Sequence, residues 1–561
     1  MNETPQDRMS RRVFVGGAIA GGATLLAGAA PPGLVASAAV DAASSRGAAE
    51  RDTTGPDGQV PAGDERGIAE LQAALTAGAV TSRALVEASL ARIALLDRTG
   101  PTLRHVLETN PDALTLADAS DAERRTGRVR GPLHGIPILI KDNIGTADRM
   151  ETTAGSLALL GARPPADAGL VTRLRTAGAI ILGKTNLSEW ANIRSTHASS
   201  GWSARGGQGR NPYALDRTPS GSSSGSAGAV AAAYCAGAIG SETDGSITSP
   251  SSCCSLVGLK PTVGLVSRSV IIPISASQDT AGPIARSVRD VAILLGAIAG
   301  PDAHDPATSA SAGHVHDDYT TFLRPDALKG ARIGVPRTRL FGYSPAVDRL
   351  ADEAIAVMKR SGAVIVDPAN LGHLGEYDES ELTVLLYELK DGLNAYLAAL
   401  GAASAPRTLA DVIAFNQKER EREMPYFAQE LFVTAEAKGP LTDPAYRRAL
   451  RRNHRLARTR GIDATMEKYR LDALVAPTTG APSLIDLVNG DPGGGGSCTT
   501  PPAVAGYTHI TVPMGYVRGL PVGLSLFGRA WSEPALLGLA YAYEQATNAR
   551  QPPQFLATAT V

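Results

Sequence analysis

Apolar residues recur at helical spacing from Gly67 onward: Ala69, Leu71 and Leu75, then Leu85, Ala88, Leu90, Ile93 and Leu95. Thr81-Ser82 supplies an N-cap for the second of these helices. Short continuous apolar runs then take over, as expected of strands buried on both faces. They are Gly135–Ile140, Ala179–Leu182, Ile333–Val335, Ala363–Val366, Ala473–Ala476 and Ile510–Val512. Helical patterns fall among them, at Val347–Arg360, and after them at Pro534–Ala546. Strands alternating with helices predict an α/β fold around a largely buried sheet. No repeat of solenoid period is present. The small apolar run Ala227–Ala238 reads as a helix.

Residues 381–468 differ: they are helical in pattern and rich in charge, an insert that would cover the sheet or cap the substrate side. Within them Arg447–Arg460 is dense in arginine and reads as a solvated helix face paired with nearby carboxylates. Asp491–Ser497 is glycine-rich and reads as a mobile loop, without the Lys-Ser/Thr that a phosphate-binding loop requires.

Composition narrows the functions. Lys and Arg number 54 against 55 Asp and Glu, a formal charge of -1, so the overall field points to neither nucleic acid nor an anionic membrane. Four cysteines, with Cys253 and Cys254 adjacent, give no metal-binding or disulfide pattern and read as small core residues. At the N-terminus, Ser10-Arg11-Arg12-Val13-Phe14 opens a twin-arginine pattern. An apolar run, Gly16–Ala30, and the small-residue stretch Val35–Ala38 follow. This predicts an export signal over 1–38, cut near Ala38, and hence a secreted or extracytoplasmic protein with no stable membrane insertion afterwards. Residues 39–65 read as a disordered linker.

The stretch Pro219–Pro250 carries the chemistry. Two serine clusters in glycine settings, Ser220–Ser226 and Gly240–Ile247, flank the small apolar run. Glycine lets backbone N–H groups approach a substrate and serine supplies a nucleophile, which together suggest acyl transfer with a backbone oxyanion hole. Two nucleophiles compete. Gly221-Ser-Ser223-Ser-Gly225 matches the Gly-x-Ser-x-Gly elbow formally, but that motif needs a strand before it, where this chain has a turn-rich loop. It also needs a histidine, for which His509 and His454 are the undistinguished choices. In the stronger reading Ser246 attacks, Ser222 relays its proton, and Lys141 is the base. Lys141 closes an apolar run, and burial favours the neutral amine. The amides of Thr243, Asp244, Gly245 and Ser246 would hold the oxyanion, with Ser223 beside the substrate. His314-Val-His316 allows a metal site on paper, but a polar loop is the simpler reading, and this chemistry calls for no metal and no cofactor.

The quoted residues resemble the amidase signature family of serine hydrolases. The matching pieces are Gly135–Asn143, Gly221–Ser223, Gly240–Ile247, Val257–Thr262, Gly264–Ser267, Asp279–Ile284 and Ile510–Pro513, in order. The resemblance implies a central mixed β-sheet covered by helices on both faces, over residues 66–551, with 552–561 as a tail. It places the family's catalytic lysine on Lys141, its bridging serine, at a non-proline cis bond, on Ser222, and its nucleophile on Ser246. The family's usual double glycine before the nucleophile is Asp244-Gly245 here, and its usual aspartate is Glu242. Those departures, with Trp202–Pro212 and Pro273–Gln278, resemble the peptide amidase branch. They imply hydrolysis of a carboxamide, a peptide C-terminal amide in that branch, with a small-molecule or peptide amide as substrate and no nucleic-acid partner. Glu388, Asp391, Phe427 and Glu430 of the insert are candidates to meet substrate. Two other readings share the fold: a transamidating subunit of a tRNA-dependent amidotransferase, and a non-catalytic secreted binding protein.

Overall fold

The computed structural model describes residues 63–400, 406–492 and 496–560. The expected export segment 1–38, nearly all of the linker 39–65 and the centre of the glycine loop lie outside the described residues.

The fold is α/β. Its strands are β1 (Val106–Thr109), β2 (Pro137–Lys141), β3 (Ile180–Thr185), β4 (Trp202–Ser203), β5 (Gly207–Gln208), β6 (Gly237–Glu242), β7 (Val257–Lys260), β8 (Thr280–Ala285), β9 (Arg332–Gly334), β10 (Val364–Val366), β11 (Ala473–Pro477), β12 (His509–Val517) and β13 (Leu520–Phe527). Eleven of them form one sheet, in the order β1-β3-β2-β6-β8-β7-β12-β13-β11-β9-β10, and β4 pairs with β5 separately. The sheet is mixed: β3, β2 and β6 run parallel, as do β11, β9 and β10, and the strands between β6 and β11 pair antiparallel.

Both faces are covered, which is why β2 reads as an unbroken apolar run. Ile138 and Ile140 point into one core, shared with the helices Val288–Ile298, Pro345–Arg360 and Glu533–Thr547. Leu139, between them, points into a second core with the helices Ser82–Ile93, Ala113–Arg125 and Ser224–Ala231. The cap at Thr81 forms, its side chain accepting from Ala84 N. No helix among the described residues is long and apolar enough to cross a membrane.

Three expectations change. The run Ala227–Ala238 is not one helix: it ends at Ala231, turns through Ala233 in a left-handed conformation, and re-enters the sheet as β6 at Gly237. Small residues alone do not separate a buried helix from a buried strand. Second, β6, β7, β8 and β13 are not apparent in the pattern: β6 and β8 are built largely of Gly, Ala, Pro, Ser and Thr, and Gly, Pro or Ser interrupts the apolar residues of β7 and β13. Third, the arginines of 447–460 do not pair with carboxylates among the described residues. Arg452 and Arg458 donate instead to the carbonyls of Glu376 and Ala505.

Between residues 378 and 469 the chain is mostly helical, its longest helix being Asp378–Ala399. Leu385, Leu389 and Leu393 of that helix share a core with Leu431, Phe432, Trp190, Ile272 and Ile274, so this region forms a wall over the sheet's loops. The wall is tied down by buried charge. Glu423 accepts from the Ser156 hydroxyl and Leu157 N, while Arg194 donates to the Glu423 carbonyl and pairs with Glu189 at 3.2 Å.

Candidate active site

The carboxyl ends of the parallel strands β2 and β6 converge, the place where open α/β sheets hold their ligands. Lys141 is the last residue of β2 and is fully buried. Its Nζ lies 2.7 Å from Ser222 Oγ, 3.0 Å from Ser241 Oγ and 3.2 Å from the Ser241 carbonyl. Burial pushes the amine down to about 7, against the opposing pull of Asp279 and Glu242. Asn143 Nδ2 donates to Ser241 Oγ at 2.9 Å, fixing the hydroxyl that Lys141 meets. Neighbouring Asp142 is anchored by the Thr153 hydroxyl and by the Thr153 and Gly155 amides.

β6 delivers the second element. Beyond Glu242 the chain turns through Thr243-Asp244-Gly245-Ser246, with Gly245 at φ +77. A side chain there is opposed by conformation and by space, since a Cβ would stand 2.8 Å from Ser249 Oγ and 3.0 Å from Thr499 Oγ1. Glu242 Oε2 accepts from Ile247 N at 2.7 Å and Thr248 N at 3.0 Å, capping the helix Thr248–Cys253 from within the turn. The amides of residues 243–246 meanwhile donate to no protein acceptor among the described residues. Ser246 keeps 8% of its surface open.

The first serine cluster closes on the second. The Gly221–Ser222 bond is cis. Ser223 N donates to the Ser246 carbonyl at 3.0 Å, and Ser223 Oγ donates to the Ser241 carbonyl at 3.0 Å. Both polar hydrogens of Ser223 are thus spent on protein acceptors: it staples the start of the helix Ser224–Ala231 to β6 and offers no donor to a substrate. Ser222, fully buried, is held beside Lys141 by this staple and by Ser188 N, which donates to its carbonyl.

The rival histidines stand elsewhere. His509 is in β12, its Nε2 2.5 Å from Ser525 Oγ, and burial pushes its imidazole down to about 3. The segment before Ser222 is loop, so the elbow motif lacks its strand. His314 stacks on Trp531 at 4.7 Å, and the described residues contain no metal-binding cluster of His, Cys, Asp and Glu. All four cysteines are buried and free.

Of the insert candidates, Glu388 and Asp391 line a cavity of about 210 Å³ that reaches Asn143, Ser241 and Thr243. Phe427 packs on Trp202 at 5.1 Å and under the Arg194 guanidinium, and Glu430 accepts from Ser195 and Thr196; neither lines that cavity. Sequence reasoning missed the roles of Ser241 and Asp279, although both sit in segments already singled out, at Gly240–Ile247 and Asp279–Ile284. It also missed Glu381. That buried carboxylate faces the nucleophile's turn from the insert, and only the fold brings it there.

Fold and site together define the class: an α/β amidohydrolase with its chemistry at the ends of parallel strands. The Amidase family model matches residues 84–537, and the chain belongs to that family. It is similar to the native peptide amidase of Stenotrophomonas maltophilia, with 55% identity, a TM-score of 0.84, and coverage of 88% of this chain and 99% of that one. A probable amidase of Arabidopsis thaliana is 43% identical over 88% of this chain and 92% of its own length. One of the subunits of a glutamyl-tRNA(Gln) amidotransferase from Chloroflexus aurantiacus is 38% identical over 86% and 96%.

Proposed function

We propose that the chain hydrolyses carboxamides through Ser246, Ser222 and Lys141, and that its substrates are the C-terminal amides of peptides. The observation that carries the mechanism is the 2.7 Å approach of Lys141 Nζ to Ser222 Oγ in a buried site that lowers the amine to about 7, so that the neutral base is well populated near neutral pH. Ser246 Oγ attacks the amide carbon as its proton passes to Ser222, whose own proton passes to Lys141. The oxyanion forms against the amides of residues 243–246, which have no competing acceptor. The proton returns by the same path to the leaving nitrogen, and the C–N bond breaks. Water then takes the same route in reverse to release the acid. The peptide substrate is supported by the similarity to the Stenotrophomonas peptide amidase, which is matched over nearly its whole length.

Active-site labelling with a fluorophosphonate, combined with turnover of a peptide amide, tests this reading. Wild type is labelled and releases ammonia, and Ser246→Ala does neither; labelling that persists in Ser246→Ala sinks the assignment. The Chloroflexus relative supports one alternative, transamidation of charged tRNA, which predicts activity only with partner subunits. We also propose twin-arginine export of the mature enzyme, on the pattern at Ser10–Val15. Replacing both arginines by lysine is expected to leave the enzyme in the cytoplasmic fraction.

A further inference from the structure

The cavity that Glu388 and Asp391 line has two ends of different character. Its inner end is bounded by Asn143, Ser241 and Thr243. Ser241 Oγ is 3.0 Å from Lys141 Nζ, and Thr243 opens the turn that carries Ser246, so this end abuts both base and nucleophile. Asn143, 4% exposed, spends its Nδ2 on Ser241 and keeps a buried Oδ1 without a protein partner, an acceptor for an entering amide. The outer end is open: Ala276, His304 and Asp391 line it and are all exposed. The rest of the wall is largely apolar, with Ile271, Ile272, Pro273, Ile274 and Leu441.

Size limits the occupant. A water's share of the liquid is roughly 30 Å³, and a cavity of about 150 Å³ holds benzene. The 210 Å³ here is far more than departing ammonia fills and suits one long side chain. The wall is also built before a substrate arrives. Glu388 accepts from Ser275 Oγ, Ser277 N and Ser277 Oγ, and from Tyr446 Oη, pinning the loop after Pro273 to the insert.

Charge decides the chemistry of the tip. Five carboxylates line the cavity, those of Glu242, Asp279, Asp305, Glu388 and Asp391, against the single arginine Arg268. Four are engaged by protein donors. Glu242 caps the helix after the nucleophile, and Glu388 holds the loop. Asp279 accepts from Thr243 Oγ1 at 2.6 Å and Ile274 N at 2.7 Å, and Asp305 takes both arms of Arg268 at 2.9 and 2.8 Å. Asp391, at the mouth, makes no hydrogen bond or ion pair among the described residues. It lies one turn beyond Glu388 on the helix Asp378–Ala399, on the same face. An apolar passage ending in an unpaired carboxylate at the solvent edge matches a side chain with a hydrocarbon stem and a cationic head.

We infer that Asp391 is a specificity-determining residue: the cavity takes the side chain of the residue that bears the scissile amide, and Asp391 meets a cationic tip there, favouring amides of lysine and arginine. The inference rests on the amidase reading above and names the substrates that this site prefers.

The test compares Nα-acetyl-lysinamide with Nα-acetyl-norleucinamide, which has the same four-carbon stem without the ammonium. Wild type is expected to favour the lysine amide by about two- to fivefold in kcat/KM, the range of an exposed ion pair. Asp391→Asn should bring that ratio to about one, and Asp391→Glu should keep it. A ratio that survives in Asp391→Asn overturns the inference. Wild type alone also decides, should a variant fail to fold. The α-amide of Nα-acetyl-glutamate, with an anionic tip, is expected to fall below norleucinamide. Equal rates on all three amides refute the inference. Wild type that hydrolyses none of them would instead overturn the amidase reading itself.

Discussion

Lys141 Nζ and Ser222 Oγ stand 2.7 Å apart, although 81 positions of sequence separate them. The pair is made by parallel strands: β2 ends in the lysine, and β6, its neighbour, carries the turn to which the serine segment is stapled. An amine so placed is useful only without its extra proton. With Lys141 lowered to about 7, the base form disappears as pH falls below that value. The expected kcat/KM profile on a peptide amide is flat above about pH 7 and drops about tenfold per unit below it. Lys141→Met should lower kcat/KM by about 10²–10⁴-fold and abolish that limb; a limb that persists assigns it to another group.

Ser241 positions the lysine through two contacts. Its hydroxyl and carbonyl both accept from Lys141 Nζ, which favours the ammonium form. Ser241→Ala removes one of those acceptors, so the acid limb should move down by about half to one pH unit. A loss of rate with an unmoved limb would indicate a merely structural part.

The helix that begins at Ser224 packs its second residue against backbone. A Cβ on Gly225 would lie 2.5 Å from the His105 carbonyl and 2.6 Å from Asn186 N. Neither is a flexible side-chain end, so Gly225→Ala is expected to cost about 1–3 kcal/mol or more in denaturant unfolding. A neutral result would show that β3 and this helix can part without loss.

Arg194 and Glu189 meet with both side chains wholly buried, and Glu423 crowds the same space. Removing the arginine leaves carboxyls in a dry environment, and Arg194→Ala should destabilise by about 3–5 kcal/mol. Combining Arg194→Met with Glu189→Gln should cost much less than the single change, which denaturant unfolding of both variants will show.

Legibility in the sequence followed chemistry more than shape. Ile138, Leu139 and Ile140 announced a strand because a stripe buried on both faces has no polar position to interrupt it. β6 did not, because Gly237, Gly240 and Ser241 are chosen for close approach: a Cβ on Gly240 would stand 2.7 Å from Ser223 Oγ. The same requirement that hid the strand marked the site, since glycine and serine crowd where backbone must meet backbone. Glu381 carried no signal at all, and Gln278 was marked only as the end of the segment Pro273–Gln278. Their place beside Asp244 depends on how a helix from the insert lies across the sheet, and no local pattern records that. The fate of Ser223 was equally invisible, because sequence shows a hydroxyl and only the fold shows that its proton is already taken.

The dryness around Lys141 has a further meaning. A lysine in water holds its proton through the whole physiological range, so the reagent here is not the side chain but the side chain together with its seal. Anything that lets solvent reach the end of β2 would convert the base into an inert cation without altering an atom of the triad. Side chains that close off the end of β2 are therefore reactivity determinants at one remove. Variants in that shell can be silenced enzymes that still fold, and raising the pH would wake them.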